Sequence, residues 1–417
     1  MIKTKDWPKA LEILVLAAIS ALLIFYKFGQ IPHNLAYDEV DIAKLALSLE
    51  HQQYTPFSPL ADGHGTVYPY ILLSSMKLFG VNTFALRLPS AIFGVINVLL
   101  LYLIIRLLFE RYNRYLPFAS AFILATSRWF FNFPRFSFEM PFLLFLELGA
   151  IYFLLSCFKN KSIWLLVLSG IMSGLAFNSY QPGRIFFILP LLFIVLKKEK
   201  IKSYLFFIVP FILVITPMSL YLLMHNQNDI RINNELFLKN SQLSITQKVQ
   251  FLADNLRKFA LMFNFNGDSN GRHNYPYKPA LNPILGILFL GGLLFAIKNL
   301  SNIYNQFFLA YFVVAGLPAI LTYPWENPNM LRTYTLLPSL IYFVSQSLLF
   351  LSNLKINHKK VLFSIVLLLI LISSIYEVRT YFVYQSEVVK HAFEIFCPLN
   401  KVVKLNPNQI IKQCKIK

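Results

Sequence analysis

Apolar segments about as long as a bilayer is thick recur along the whole chain, and they constrain the fold more than any other feature. A helix that crosses a hydrocarbon core of about 30 Å needs roughly 20 predominantly apolar residues. Such segments fall near residues 9–28, 84–108, 115–131, 138–157, 163–180, 184–197, 203–224, 281–298, 306–323, 331–350 and 361–378. The sequence therefore predicts an all-α polytopic membrane protein with about 11 transmembrane helices.

The composition argues against a soluble protein. Apolar residues make up 57% of the 417 residues and charged residues only 14%, far from the composition of a soluble globular domain. The net charge of +19 would suit nucleic acid, but the cations form short clusters between apolar segments, as at 197–202. Such clusters are typical of cytoplasmic loops. We therefore expect membrane lipids, and no nucleic acid, as partners.

The basic loops also orient the helices. Short loops with Lys and Arg alternate along the chain with longer polar and aromatic loops; the basic ones lie at 106–114, 159–161, 197–202, 298 and 355–360. Because basic loops stay in the cytoplasm, the amino terminus is predicted to be cytoplasmic and loops 29–83 and 225–280 extracytoplasmic. The transmembrane domain takes residues 1–378. An odd number of helices puts the tail, 379–417, on the extracytoplasmic side.

Both large outer loops contain a predicted amphipathic helix. The first begins at Asp38, and the second has Ser244 as its predicted N-cap. Apolar residues follow at helical spacing, namely Val40, Ala43, Ala46, Leu47 and Leu49 in the first helix and Ile245, Val249, Leu252, Leu256, Phe259 and Phe263 in the second. Helices of this kind lie in the membrane interface, where they would cover a cavity reached from both lipid and water.

Acidic residues stand at the outer ends of the predicted helices. Asp38 and Glu39 follow the first apolar segment, and Glu139 precedes the fourth. A carboxylate there can accept a proton from an incoming hydroxyl. Alternatively, Asp38 with Asp41 forms an N-cap with an acid at N3, and Arg135 with Glu139 forms an i,i+4 ion pair. The gathering of these groups on one face favours the catalytic interpretation.

Basic and polar residues map to the same outer face. They are Tyr180 and Arg184 after the fifth segment, Asp268, Arg272 and His273 in the second outer loop, and Arg332 in the tenth segment. A single interfacial Arg usually anchors to lipid, whereas several together can bind phosphate through paired guanidinium hydrogen bonds. No metal-ligand spacing is present. A divalent cation at Asp38 and Glu39 is less favoured than acid–base chemistry, so we predict no cofactor.

Two further features have no assigned role in the sequence. Glu147 lies in the middle of the fourth segment, where an unpaired carboxylate is costly. It is therefore either protonated or bonded to a neighbouring helix. Cys397 and Cys414 could pair if the tail is extracytoplasmic, but their number and spacing do not decide this.

The motifs, in their order along the chain, resemble those of the GT-C fold glycosyltransferases, in particular family 39, the protein O-mannosyltransferase and aminoarabinose-transferase-like group. The matching motifs are Tyr37-Asp38-Glu39, Tyr68-Pro69-Tyr70, Arg87-Leu88-Pro89-Ser90-Ala91, Arg135 to Glu139, Tyr180 to Arg184, Gly267-Asp268 with Arg272-His273-Asn274, and Pro328 with Leu331-Arg332. The resemblance implies a polyprenyl-phosphate-sugar donor and an inverting displacement at the anomeric carbon of the sugar. It also implies a base from the first outer loop.

Under this resemblance Asp38 is the expected base with Glu39 beside it, and Glu139 binds or orients the acceptor. The expected residues for the donor and its leaving phosphate are Arg135, Tyr180, Arg184, Asp268, Arg272, His273 and Arg332. The predicted function is transfer of a hexose or pentose to a hydroxyl of a lipid, glycan or protein on the extracytoplasmic side. A transporter or flippase for a lipid-linked saccharide is the alternative, although such proteins place polar residues near the midplane. A structural scaffold would leave the charged residues unexplained.

Overall fold

The structure, a computed structural model, describes residues 9–225, 234–354 and 359–416. The first eight residues, part of the loop predicted at 225–280, part of the 355–360 cluster and Lys417 lie outside these ranges. Every predicted apolar segment contains a helix. The helices are α1 (Lys9–Phe25), α2 (Tyr37–Ser48), α3 (Val67–Phe79), α4 (Thr83–Phe109), α5 (Leu116–Thr126), α6 (Arg128–Asn132), α7 (Met140–Asn160), α8 (Trp164–Ser179), α9 (Ile188–Leu196), α10 (Ile201–Met224), α11 (Ile245–Met262), α12 (Pro283–Lys298), α13 (Ile303–Ile320), α14 (Leu337–Asn353), α15 (Lys359–Arg379), α16 (Ser386–Ala392), α17 (Leu399–Val402) and α18 (Pro407–Gln413).

Strand structure in the described ranges is confined to two short antiparallel ribbons. In the first, β1 (Phe57–Ser58) pairs with β2 (His64–Gly65); in the second, β3 (Ile395–Phe396) pairs with β4 (Lys415–Ile416). A π-helical segment, Thr380–Gln385, joins α15 to α16. The all-α prediction is therefore confirmed, and the ribbons lie in the first outer loop and the tail.

Within the described ranges, six helices are long and apolar enough to cross a membrane. They are α4, α7, α10, α13, α14 with the turn before it, and α15 with its continuation. Four shorter apolar helices accompany them: α5, α8, α9 with the turn before it, and α12. The membrane character is confirmed, whereas a total of about 11 crossings stays a prediction.

Close helix contacts depend on small residues. Helix α4 packs against α1, α5 and α7, while α8 lies between α7 and α10, and α12 packs on α14. A Cβ atom on Gly170 of α8 would lie 2.3 Å from the carbonyl oxygen of Phe207 in α10. One on Gly292 of α12 would lie 1.7 Å from that of Phe343 in α14. Glycine is therefore required at both crossings, as in many membrane helix pairs.

Glu147 is satisfied by a neighbouring helix. Its carboxylate is buried in α7 and accepts a hydrogen bond of 2.5 Å from the hydroxyl of Tyr311 in α13. Of the two explanations offered by the sequence, the structure therefore shows the bond between helices. The phenol compensates for removing the carboxyl group from water.

The predicted outer helices are present, and one more accompanies them. Helix α2 occupies the first predicted position and α11 the second. Ser244 caps α11, because the amide of Gln247 donates to the Ser244 hydroxyl at 3.2 Å and the Ser244 amide donates to Gln247 Oε1 at 2.9 Å. The N-cap prediction is confirmed. Helix α3 was missed by the sequence analysis, which treated its residues as loop.

The tail folds back onto the first outer loop. Leu35 and Ile395 exchange backbone hydrogen bonds of 3.0 and 2.9 Å, and a disulfide between Cys397 and Cys414 fastens the β3–β4 ribbon. Gly271 of the second outer loop packs against α16 of the tail. The two loops and the tail therefore meet at one end of the helices. The tail thus lies at the same end of the helices as the two large loops, which is the arrangement that an odd number of crossings would give.

Candidate functional site

A cavity of about 130 Å³ opens where α2, the β1–β2 ribbon, the start of α7 and the end of α8 meet. Its lining consists of Asp38, Asp41, Ile42, Ala61, Asp62, His64, Ser137, Phe138, Glu139, Met140, Tyr180 and Leu331. Of the predicted site residues, Asp38, Glu139 and Tyr180 line this cavity directly. Asp41 and Ile42 join Asp38 because residues three and four apart share one face of a helix.

Asp38 lies at the second position of α2, with its carboxylate open to solvent. The N-cap of this helix is Ala36, and Glu39 holds the third position. The alternative that makes Asp38 an N-cap with Asp41 at N3 is therefore wrong. The side chain of Asp38 is 61% exposed, and its Oδ2 accepts a hydrogen bond of 2.8 Å from Nη1 of Arg272. The amino-terminal end of the helix and the guanidinium both stabilise a negative charge there.

Arg272 is presented by a loop that Asp268 organises. Asp268 is buried and accepts three hydrogen bonds of 2.8 Å, from the amides of Asn270 and Met330 and from Nδ1 of His273. Asn270 Oδ1 in turn accepts from the amide of Arg272 at 2.9 Å. Asp268 and His273 therefore shape the loop from within, and neither lines the cavity.

Glu139, which is buried, and His64, which is partly buried, form a pair on the wall of the cavity. Oε2 of Glu139 lies 3.0 Å from Nδ1 of His64, and the carboxylate is only 5% exposed. Its Oε1 has no hydrogen-bond partner among the described residues. The imidazole stacks on the ring of Tyr180 at 6.3 Å. A Cβ on Gly65, the next residue, would lie 1.8 Å from the Asn178 carbonyl oxygen, so this strand is pressed onto the end of α8.

Glu39 faces the interior instead of the cavity. It is fully buried, and its two oxygens accept hydrogen bonds of 2.8 Å from Nε and Nη2 of Arg87. The amide of Ser137 adds a bond of 2.9 Å. Arg87 also donates to the carbonyl oxygens of Pro32 and Asn34. The structure thus places Glu39 in a clamp that fixes the first outer loop to α4.

Arg135 also serves the architecture. The fully buried guanidinium donates to the carbonyl oxygens of Leu23, Ile24, Tyr26 and Ile31 at distances from 2.6 to 3.2 Å. These carbonyls belong to the end of α1 and the chain after it, where helical partners are lacking. Arg135 therefore caps α1, and the predicted i,i+4 ion pair with Glu139 is wrong.

The two remaining arginines lie next to cavity residues without lining the cavity. Arg332 follows the lining residue Leu331, and its Nη2 contacts Glu235 at 3.1 Å and also Glu326. Arg184 lies in the turn Gln181–Ile185 beyond Tyr180, with its guanidinium 6.0 Å from the ring centre of Phe177. Arg272 is thus the predicted phosphate ligand that the structure brings to an acid of the cavity.

Three titratable residues of the cavity lining were missed as site residues: Asp41, Asp62 and His64. Asp41 is exposed on one side, and its partial removal from water at the cavity wall raises its pKa; the Lys44 ammonium opposes this shift, and the charges of Asp38 and Asp62 add to it. No group of three His, Cys, Asp or Glu side chains in the described ranges could hold a metal ion. The expectation of no cofactor stays a prediction. Nothing local in the sequence marks His64, because its partner Glu139 lies 75 residues away.

Similarity to known proteins agrees with this architecture. Residues 63–224 match the family model described as dolichyl-phosphate-mannose-protein mannosyltransferase. This range includes His64, Arg87 and Glu139, and it leaves out Asp38. A search of curated protein sequences finds no match.

Several solved structures have a similar fold. One is the archaeal oligosaccharyltransferase AglB from Archaeoglobus fulgidus, in complex with an inhibitory peptide and a dolichol-phosphate (14% identity, TM-score 0.56, 91% of this chain and 56% of that one). Another is ArnT from Cupriavidus metallidurans bound to undecaprenyl phosphate (12% identity, TM-score 0.54, 95% and 78%). A third is the arabinofuranosyltransferase AftD from Mycobacteria (14% identity, TM-score 0.56, 92% and 27%).

The chain spans 56% of the AglB chain and 27% of the AftD chain. At identities of 12 to 15%, the structural similarity establishes the fold. The motif order in the sequence predicts the same fold, so that prediction is confirmed. This chain is an integral membrane protein with the GT-C fold, and its residues 63–224 match the protein mannosyltransferase family model.

Proposed function

We propose that the protein transfers a sugar from a polyprenyl-phosphate-linked donor to a hydroxyl group of a lipid, glycan or protein acceptor, with inversion at the anomeric carbon. The observation that carries this proposal is the contact of Asp38 with Arg272 at the edge of a cavity also lined by Glu139. A base and a phosphate ligand are the two groups that such a displacement needs.

Asp38 serves as the general base. Its carboxylate is accessible at the amino-terminal end of α2 and is held by Arg272. Arg272 contacts Oδ2, which leaves Oδ1 for an acceptor hydroxyl. As the hydroxyl oxygen attacks the anomeric carbon, its proton passes to Asp38. The bond from that carbon to the phosphate oxygen breaks on the opposite face, and its electron pair leaves with the lipid phosphate.

Arg272 is the first candidate for the leaving phosphate. A guanidinium has five N–H donors, and Asp38 accepts from Nη1. Arg332 ranks below it, because its guanidinium already contacts Glu235 and Glu326. Arg184 also ranks below it, because it lies in the turn beyond Tyr180 with its guanidinium near the ring of Phe177. Guanidinium groups fixed in advance stabilise the charge that develops on a departing phosphate.

Glu139 orients the sugar or the acceptor. Its Oε1 has no partner among the described residues, and His64 fixes the other oxygen. A substrate hydroxyl that donates to Oε1 would satisfy the buried carboxylate. Glu39, by contrast, acts as a positioning residue, since its hydrogen bonds fix the N-cap of α2 at Ala36, two residues before Asp38.

The site faces the extracytoplasmic side in this proposal, with the amino terminus in the cytoplasm. The tail packs on the same end of the helices as the cavity, and it contains the Cys397–Cys414 disulfide. Disulfides persist in oxidising compartments, which supports that orientation. A lipid donor can enter from the outer leaflet because the cavity lies at the membrane edge.

The proposal is tested with full-length protein in liposomes and a panel of labelled polyprenyl-phosphate hexoses and pentoses. Asp38→Asn should lower sugar transfer by about 10²- to 10⁴-fold, the usual contribution of a general base. Asp254→Asn is the matched control, because Asp254 lies on α11 and pairs with Arg257 and Lys258. Equal transfer by the Asp38→Asn variant and the control would exclude Asp38 as the base. Movement of an intact lipid-linked saccharide across the bilayer without transfer would favour a flippase.

A further inference from the structure

A second cavity lies at the opposite end of the helices from the candidate site. Helix α7 connects the two: Glu139, just before its start, lines the first cavity, and Lys159, near its end, lines the second. At about 1.5 Å per residue, its 21 residues extend about as far as the hydrocarbon core is thick, about 30 Å. The two cavities therefore belong to opposite leaflets.

The lining of this second cavity is strongly basic. It has a volume of about 650 Å³ and includes the cations Arg106, Arg111, Lys159 and Lys197 and a single carboxylate, Glu110. Arg106 binds that carboxylate at 2.9 Å. Three positive charges are left in excess on the cavity wall. Ammonium and guanidinium groups arranged in this way bind phosphate oxygens.

Polar and aromatic groups complete the basic cavity. Gln346 and Tyr342 line it and are held in place, because Gln346 Nε2 donates to the Tyr342 hydroxyl at 2.7 Å and to Asn305 Oδ1 at 3.1 Å. The ammonium of Lys197 lies 5.5 Å from the ring centre of Tyr304. The cavity thus presents fixed polar groups as well as charge, which suits a polar head group rather than a bare apolar chain.

An apolar groove adjoins the basic cavity and shares Tyr112 with it. The groove has a volume of about 610 Å³ and lies between α5, α14 and α15, with Phe118, Leu348 and Leu367 among its lining residues. Phe363 of its wall is 53% exposed. A single ligand that fills both sites must carry an anionic group for the basic cavity and an apolar chain for the groove. Such a ligand is amphiphilic.

We infer that this face binds an anionic phospholipid, with its phosphate head group in the basic cavity and an acyl chain in the groove. The positive charge of the cavity favours an anionic head group. Because the cavity and the groove share Tyr112 in their walls, one molecule with a head group and an attached chain can occupy both. The inference does not depend on sugar transfer, because none of its residues lines the candidate site. Binding at this leaflet would anchor the helix ends on the face away from the candidate site.

The test uses lipid-depleted full-length protein in detergent, titrated with phosphatidylglycerol or phosphatidylcholine. Thermal unfolding and native mass spectrometry report binding. Phosphatidylglycerol should raise the Tm and appear as a bound adduct, whereas phosphatidylcholine should do so only at much higher concentration. Lys159→Gln with Lys197→Gln should weaken phosphatidylglycerol binding at least about tenfold, since two of the phosphate ligands are removed. Lys401→Gln with Lys404→Gln removes the same charge from the exposed tail at the other end and should leave binding unchanged.

Further arms separate the lipid from its parts. Inorganic phosphate should not reproduce the Tm rise; a full rise with phosphate alone would overturn the lipid in favour of a soluble anion. Ala119→Trp narrows the groove and should weaken long-chain phosphatidylglycerol while sparing a short-chain form. Equal binding of phosphatidylglycerol by the two double variants would overturn the basic cavity as its site.

Discussion

Two neighbouring acids of α2 have opposite surroundings, although the sequence presents them as one motif. Asp38 is 61% exposed and meets Arg272 through one hydrogen bond of 2.8 Å. Glu39 is fully buried and meets Arg87 through two. One pair can open to admit a substrate, and the other has no room to do so. The difference shows that adjacent carboxylates on a helix can be one accessible and one architectural, according to the face that each occupies.

The buried pair should give the largest effect on stability. Arg87→Met leaves the Glu39 carboxylate without its partner in the interior, and breaking a buried ion pair in this way costs about 3–5 kcal/mol. We expect a large fall in Tm and in the yield of folded protein, measured by thermal unfolding in detergent. Glu39→Gln should show the same direction. A Glu39 variant that kept the wild-type Tm but lost sugar transfer would show that Glu39 acts in the reaction and does not stabilise the fold.

The exposed pair should behave in the reverse way. Arg272→Met removes a guanidinium donor from the developing phosphate charge, a loss of about 10²- to 10³-fold in kcat for a group of this kind. Its Tm should stay near that of the wild type, because Arg272 is partly exposed and Asp38 is accessible to water. Parallel activity and Tm measurements on the Arg87 and Arg272 variants check this contrast. Equal losses of Tm in both would contradict it.

The sequence predicts the helices well because apolar length is a local property. It also places Asp38 and Glu139 on the same face, since both follow from counting helices. It does not separate Asp38 from Glu39, because that depends on where α2 begins. Capping preferences disfavour Ala36 as an N-cap, yet the tertiary contact of Glu39 with Arg87 sets the start of the helix there.

The other missed features are also products of tertiary contacts. His64 reaches Glu139 across 75 residues, and Asn34 donates to the carbonyl of Phe393 across 359. Arg87 belongs to the motif Arg87-Leu88-Pro89-Ser90-Ala91, but spacing along the chain does not predict its partner Glu39. Arg135 was predicted near the donor because it lies at the outer end of a helix. Its actual partners are carbonyl oxygens at the end of α1.

The tail disulfide offers a smaller perturbation of the loop that holds both acids. The tail contacts this loop through Leu35 and Ile395 and through Lys44, whose ammonium donates to the Leu405 carbonyl at 2.8 Å. Cys397→Ser with Cys414→Ser opens a link between residues 17 apart, worth up to about 3 kcal/mol for a loop of that size. We expect a lower Tm and a modest loss of transfer. Free Cys157 is buried, so Cys157→Ala, which adds no polar group to the interior, is the control; it should leave transfer unchanged and lower the Tm less than the double variant does.

Asp41 allows the finest test of how the two faces of α2 differ, because it lies one turn beyond Asp38 on the cavity side. Partial desolvation at the cavity wall, more than the charges of Asp38 and Asp62, raises the pKa of Asp41 above its unfolded value, against the pull of Lys44. Its contribution to stability is therefore present at low pH and is lost as the pH rises through the folded pKa. Asp41→Asn should raise the Tm slightly at neutral pH, and this gain should vanish below about pH 3.9, the ordinary value for Asp.

Asp254 provides the control of opposite sign for that measurement. Hydrogen bonds from Lys258 and Arg257 lower the pKa of Asp254, so its stabilising contribution is present at neutral pH and is lost as the pH falls. Asp254→Asn should therefore lower the Tm slightly at neutral pH, where Asp41→Asn raises it. If both variants shifted the Tm in the same direction, the pKa of Asp41 would not be raised in the folded protein, and the expected difference between Asp41 and Asp254 would be wrong.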